Sequence, residues 1–313
     1  MSDLTRRAFI TRSSVAAGGL AAGGLAVAGC SGSDDDGADA DPGPTTSAED
    51  APFDPADWGS VRDQFPLAAD VAHFSAWVLA AHPRPVAEAI ARHRAGLDDD
   101  THAYLPASEE DAEVAVRTAA AEYLGAQPGD VALTDSTTMG LGLLYGGLRL
   151  GPGDEVLTTE HDFYSTHQAW QLRSARDGAT VRRVRLYDDP AAATADDMVG
   201  RLVAGVTPAT RVVAITWVHS VTGVKVPVRA VADALAPLNA ARGPDARLLL
   251  CVDGVHALGV EDGAVADLGC DFLVAGTHKW LFGPRGTGIV WGRADAWPAV
   301  DAAIPAFEPS SFG

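Results

Sequence analysis

The stretch D-F-L-V-A-G-T-H-K-W-L-F-G-P-R-G-T-G, residues 271–288, decides how this 313-residue chain is read. Its first part is an apolar run that reads as a buried strand, and its second part is a Gly- and Pro-rich loop. Lys279 stands between them, at the carboxyl end of the strand, where open α/β sheets place their ligands. Lysine is scarce here: of 23 basic residues only Lys225 and Lys279 are lysine, and the rest are arginine. Arginine stays charged, whereas lysine can lose its proton and attack a carbonyl. Lys279 therefore reads as a Schiff-base lysine, against the plainer alternative of a snorkelling surface cation.

Upstream, apolar strand patterns alternate with helical ones. Strands are predicted over 131–134, 154–160, 180–187, 211–218, 247–254, 271–275 and 286–292, and helices over 86–96, 109–124, 139–148, 165–176, 195–206 and 228–241. This alternation predicts an α/β fold with a mainly parallel sheet covered by helices. The last two strands are separated by about ten residues, too few for a helical crossover, so that pair is antiparallel or joined by a loop.

Polar residues follow the strands. Ser136, Thr137 and Thr138 come after the first, His161 after the second, and His219 and Ser220 after the fourth. Asp253 and His256 come after the fifth, and Thr277, His278 and Lys279 after the sixth. Each has a plain reading as a helix cap, a turn residue or a satisfied strand-end polar. In a parallel sheet, however, all of them line one crevice. A hydroxyl-rich helix N-terminus cradles phosphate, and Thr277 and His278 could add donors to it. An aspartate on a neighbouring strand holds a pyridine nitrogen protonated, and a flat imidazole such as His161 stacks on a ring. Phosphate, pyridine and aldehyde together describe pyridoxal 5'-phosphate.

Three segments carry a family resemblance. Asp253-Gly-Val-His256, then Thr277-His-Lys279, then Gly283-Pro-Arg-Gly-Thr-Gly288 resemble the class V aminotransferases among the fold-type I pyridoxal-phosphate enzymes. Those include cysteine desulfurases, kynureninase-like enzymes and isopenicillin-N-epimerase-like proteins. The likeness runs from about His73 to Gly292, and T-H-K-W-L-F-G-P is most similar to the epimerase-like branch. It implies the family's large domain, with Lys279 holding the cofactor and shuttling the α-proton. It implies Asp253 on the pyridine nitrogen, His161 stacked over the ring and His256 near the phenolate oxygen. Thr137, Thr138, Thr277 and His278 would lie near the phosphate, beside Ser136. Ser220, in H-S-V-T-G, stands where many members carry Asn. The implied activity is aminotransfer, epimerisation or β-lyase chemistry on an α-amino acid, in a homodimer. Members usually continue for a small domain that binds the substrate carboxylate, and that C-terminal domain is expected to be missing, with 301–313 as its truncated start. The alternative is a non-catalytic or decayed cofactor-binding lipoprotein. A metal hydrolase built on His161, His219, His256 and Asp253 would lack a tight H-x-x-x-H pair.

The amino-terminal end reads as an address. Arg6 and Arg7 precede an apolar run, 15–28, too short and Gly-rich for a membrane span, and L-A-V-A-G-C ends at Cys30. This resembles a twin-arginine lipoprotein signal over 1–30 and implies export to the periplasm or cell surface, with a lipid anchor on Cys30. Residues 31–57 read as a disordered acidic tether, and 58–300 as the cofactor-binding domain. The formal charge is −19, and removal of 1–30 leaves about −21. Such acidity excludes nucleic-acid binding, which needs clustered cations. Cys251 and Cys270 lie beside apolar strand patterns and support neither a disulfide framework nor a zinc site.

Overall fold

The structure is a computed structural model that describes residues 53–305. The signal over 1–30, Cys30, the tether up to residue 52 and residues 306–313 lie outside the described residues. Residues 53–57 lead directly into the first helix, α1 (Trp58–Asp63), which Asp57 caps by accepting from the Gly59 and Ser60 amides. Two longer helices follow, α2 (Arg84–Asp99) and α3 (Thr101–Leu124). The sequence reading starts the second of these at 109, but Asp100 caps it earlier, its carboxylate 3.0 Å from the Ala103 amide.

Strands and helices then alternate: β1 (Val131–Thr134), α4 (Thr137–Gly147), β2 (Glu155–Thr159), α5 (Tyr164–Asp177), β3 (Thr180–Val184), α6 (Ala195–Ala204) and β4 (Thr210–Thr216). The chain continues through α7 (Val228–Ala240), β5 (Leu249–Asp253), α8 (Val265–Leu268), β6 (Phe272–Gly276) and β7 (Gly288–Gly292). The strand order is β1-β7-β6-β5-β4-β2-β3. Every pairing is parallel except the two made by β7, which is antiparallel to β6 and β1. The short loop 277–287 forces this reversal, since a parallel return needs a crossover.

The period-two alternation of the strands builds two cores. On β4, Val213 and Ile215 face one side while Val212 and Ala214 face the other. The first side packs against Leu124 of α3, Leu202 of α6 and Val231 and Leu235 of α7. The second packs against Leu141, Leu144 and Tyr145 of α4 and Trp170 of α5. Apolar residues on both faces of one strand are the signature of a sheet covered twice. The edge strand β3 is the exception. It pairs only through Val184, short of the predicted 187, and its exposed Arg182 and Arg183 protect an open edge.

Candidate active site

Because β1, β2, β4, β5 and β6 run the same way, their carboxyl ends meet at one edge of the sheet. Ser136, Thr137, Thr138, Ser220, Asp253, His256, His278 and Lys279 line one cavity there, of about 260 Å³. Thr277 and His161, the other two residues expected at the site, are not on its wall. Trp77, Val78, Phe163, Ser165 and Val255 complete the lining, and none of these was picked out by the sequence reading.

Asp253 ends β5 and is 3% exposed. Burial drives its carboxyl up from the ordinary range to about 7, against the lowering pull of the Val255 amide and of Lys279. Its Oδ1 accepts from the Val255 amide at 3.1 Å, and the Thr166 hydroxyl of α5 lies 3.5 Å from Oδ2. Lys279 is half-buried, and burial lowers its pKa while Asp253 opposes the shift. His256 is driven down to about 4, by burial first and then by Lys279, so it is neutral at pH 7. The Trp280 indole N–H donates to His256 Nδ1 at 3.0 Å. An indole can only donate, so Nδ1 holds the lone pair and the ring proton sits on Nε2. His256 is thus a neutral donor fixed in one tautomer.

The loop carrying these residues is tightly formed. Phe282 adopts a left-handed backbone with φ 58°, and its amide reaches back to the Lys279 carbonyl at 3.1 Å. Gly259, at φ +89°, lies against the Trp280 backbone, where a Cβ would fall 2.6 Å from the Trp280 carbonyl carbon. Only glycine fits that approach.

The start of α4 also borders the cavity. Ser136 caps it, its hydroxyl accepting from Met139 N at 3.1 Å. Thr137 and Thr138 occupy the first two helical positions, where the helix itself supplies no acceptor for N–H. The Thr137 hydroxyl accepts from the Gly276 amide at 2.7 Å and so ties this helix start to the end of β6. His278 Nδ1 donates to the Thr287 carbonyl at 3.2 Å, leaving Nε2 to act as a second donor only in the imidazolium. Thr277 is turned to Thr287, hydroxyl to hydroxyl at 2.5 Å, which accounts for its absence from the wall.

His161 lies at the end of β2 with its ring flat on Tyr187, centroids 3.8 Å apart and planes 9° from parallel. The tyrosine therefore takes one face of the imidazole expected to stack on a cofactor. His219 is buried and driven down to about 4, chiefly by burial. Beside them Asp162 is buried and held by the hydroxyls of Thr158 and Thr216, at 2.6 and 2.7 Å, and by the Thr159 amide at 2.7 Å. His161, His219, His256 and Asp253 do not assemble into a metal site, and no cluster of metal-ligating side chains occurs among the described residues.

A larger cavity, about 550 Å³, lies where β4 and β5 begin, at the opposite edge of the sheet. Its three arginines are already engaged: Arg149 with Asp301, Arg211 with Asp154 and Arg247 with Asp271. The smaller cavity holds Lys279 and Asp253 and is the candidate site. Cys251 in β5 and Cys270 just before β6 are buried and unpaired, and burial raises both thiols.

The chain is similar in sequence and fold to several known proteins. Over 238 residues the chain is 30% identical to isopenicillin N epimerase of Amycolatopsis lactamdurans, covering 74% of this chain and 56% of that protein. Over 190 residues it is 34% identical to a cysteine desulfurase of Klebsiella pneumoniae (strain 342), covering 59% of this chain and 43% of that one. The chain thus spans about half the length of these relatives. Its fold superposes on a variant of C-DES with glycine covalently linked to its PLP cofactor, at TM-score 0.68 and 23% identity, over 77% of this chain and 61% of that one. The apo cysteine desulfurase of Thermococcus onnurineus NA1 matches at TM-score 0.65 and 22% identity, over 78% and 58%. The seven-stranded sheet with its helical layers is the fold-type I large domain. The family model for aminotransferase class V matches residues 88–305, and the chain belongs to that family.

Proposed function

We propose that this chain is a pyridoxal 5'-phosphate enzyme that acts on the α-carbon of an amino acid through Lys279. The observation that carries the reading is the half-buried amine of Lys279 on the wall of a cavity that also holds Asp253 and the start of α4. The donor set fits the cofactor. The unbonded amides of Thr137 and Thr138, with the hydroxyl of Thr138, suit a phosphate, and the ring of His278 joins them in its imidazolium form. The carboxylate of Asp253 suits a pyridine N–H. The fixed Nε2–H of His256 suits the phenolate oxygen, with Ser220 as a further donor. Lys279 would hold the aldehyde carbon.

When bound, the cofactor supplies an electron sink for a carbanion at the α-carbon. The residues of the chain do the rest. Burial keeps a larger share of Lys279 as free amine, the form that can bond carbon or take a proton. Lys279 then takes up and returns the proton at the substrate's α-carbon. Asp253 binds as the carboxylate, since a cationic N–H beside it offsets the cost of its burial. His256, neutral and fixed, donates without adding a second positive charge beside Lys279.

Aminotransfer, epimerisation and β-lyase chemistry share these steps, and the relatives include an epimerase and desulfurases. The test is an absorption spectrum of the purified chain with pyridoxal phosphate before and after borohydride, with mass mapping of the reduced peptide. The label is expected on Lys279; a label elsewhere, or none, sinks the reading. We further propose export by the twin-arginine route and anchoring through lipid on Cys30, supported by Arg6, Arg7 and the L-A-V-A-G-C run. Palmitate labelling that survives Cys30→Ala would refute it. A homodimer is proposed from the family alone, and sedimentation of the purified chain tests it.

A further inference from the structure

His161 and the loop 219–223 follow neighbouring strands, β2 and β4, at the edge that carries the cavity, and one side chain joins them. Tyr187 is 4% exposed and lies flat on His161. Its hydroxyl is 2.9 Å from His219 Nδ1 and 2.7 Å from Thr222 Oγ1. A phenol has one proton, so it donates to one of these and accepts from the other, and either arrangement links all three. His219 is 2% exposed and its Nε2 has no partner, so the Tyr187 hydroxyl is the one hydrogen bond its ring makes among the described residues. Ser220, between His219 and Thr222 in the chain, lines the cavity.

We propose that Tyr187 is a positioning residue that locks the His161 ring and the Ser220 loop into one unit beside the cofactor. The proposal rests on the cofactor reading given above. A residue that merely filled the core would need only its ring, which packs in the cluster of Val213, Ile215 and Trp217. The hydroxyl is what reaches the loop, so removal of that one atom separates the two roles.

Tyr187→Phe keeps the ring and removes the pin, and Tyr187→Leu removes both. In cofactor-free protein, hydrogen exchange read by mass spectrometry is expected to rise about tenfold over 219–224 in Tyr187→Phe, with peptides from α7 unchanged. In protein reconstituted with pyridoxal phosphate, cofactor release is expected to quicken by about tenfold, and the pH midpoint of the visible band to move. Tyr187→Leu is expected to exceed Tyr187→Phe in both. Unchanged exchange over 219–224 in Tyr187→Phe overturns the pin. Faster exchange with wild-type release and midpoint overturns the positioning role and leaves a core tyrosine. A wild-type chain that borohydride fails to label on Lys279 overturns the cofactor reading and this role with it, whereas a labelled wild type with an indifferent Tyr187→Phe overturns only the role of Tyr187.

Discussion

Replacing Asp253 by Asn tests the electrostatics of the site without any cofactor. The carboxyl is buried to 3% exposure and displaced from 3.8 to about 7, chiefly by desolvation. A folded pKa above the unfolded one means that the native state binds the extra proton. The associated stability is complete below pH 3.8 and is lost as pH rises through about 7. The displacement corresponds to about 4 kcal/mol. Asparagine is neutral throughout, and its carbonyl can still accept from the Val255 amide now bonded to Oδ1. The stability of Asp253→Asn minus that of the wild type should therefore grow by about 3 to 4 kcal/mol between pH 4 and pH 8. Urea denaturation of the cofactor-free proteins at pH 4, 5, 6, 7 and 8 measures it, with m-values compared to confirm a common unfolding. His219 and His256 also titrate in part of this range, but in both proteins, so they cancel in the difference. Parallel curves, within about 1 kcal/mol, would mean that Asp253 is as well solvated folded as unfolded, and the argument for a buried, proton-poised carboxyl would fail.

His219 has the opposite sign. Its pKa falls from 6.5 to about 4 on folding, so its contribution is present above 6.5 and is lost as pH falls through about 4. The wild type should lose about 3 kcal/mol on that acid limb through this ring, and His219→Gln should flatten the limb in the same urea series. Gly140→Ala adds a methyl to α4 that would sit 2.6 Å from Val274 Cγ1 and 3.0 Å from Val290 Cγ2. Despite the better helix propensity of alanine, a net loss of about 1 to 2 kcal/mol is expected in the denaturation midpoint. Ser136→Ala removes the hydroxyl that caps α4. It should cost about 1 kcal/mol of stability and also weaken cofactor binding in an equilibrium titration, whereas a cap with no part in the site would change stability alone.

The fold was legible because its signal is local. β4 is T-R-V-V-A-I-T, with its central V-V-A-I apolar on both faces, and such a strand demands helices above and below it. Loop length excluded a helical crossover before β7, and the structure resolves the remaining choice as an antiparallel pair. Of the site, the sequence showed which residues share an edge of the sheet: eight of those chosen line one cavity, and His161 and Thr277 do not. Residues chosen because they follow a strand were brought together by the parallel sheet, and the N-cap role of Ser136 follows from its place before α4. What the sequence hid is non-local. Nothing in the segments of Trp77 and Phe163 says that they border the cavity holding Lys279. Tyr187 reads as the last residue of a strand, but pairing stops at Val184, and the three residues beyond it turn the ring onto His161. The orientation of His161 could not be read without that neighbour, nor could the turning of Thr277 toward Thr287.

Lys279 is singled out by something other than its rarity. Lys225 is just as rare, and it is an exposed surface cation paired with Glu261, a place arginine could fill. Elsewhere the protein uses arginine where a rigid fork is needed. Arg242 reaches the Thr210 and Thr207 carbonyls at 2.6 and 2.7 Å, and Arg247 and Arg293 both close on the buried Asp271. Lys279 does neither. Its amine makes no hydrogen bond or ion pair among the described residues, although it is half-buried and Asp253 stands within electrostatic reach. An arginine there would hold a full charge in a place that desolvates it and offers no partner. A lysine can shed the charge, and the product of shedding it is a nucleophile. The same burial that would make the position costly for a structural cation is what makes it useful for one that reacts.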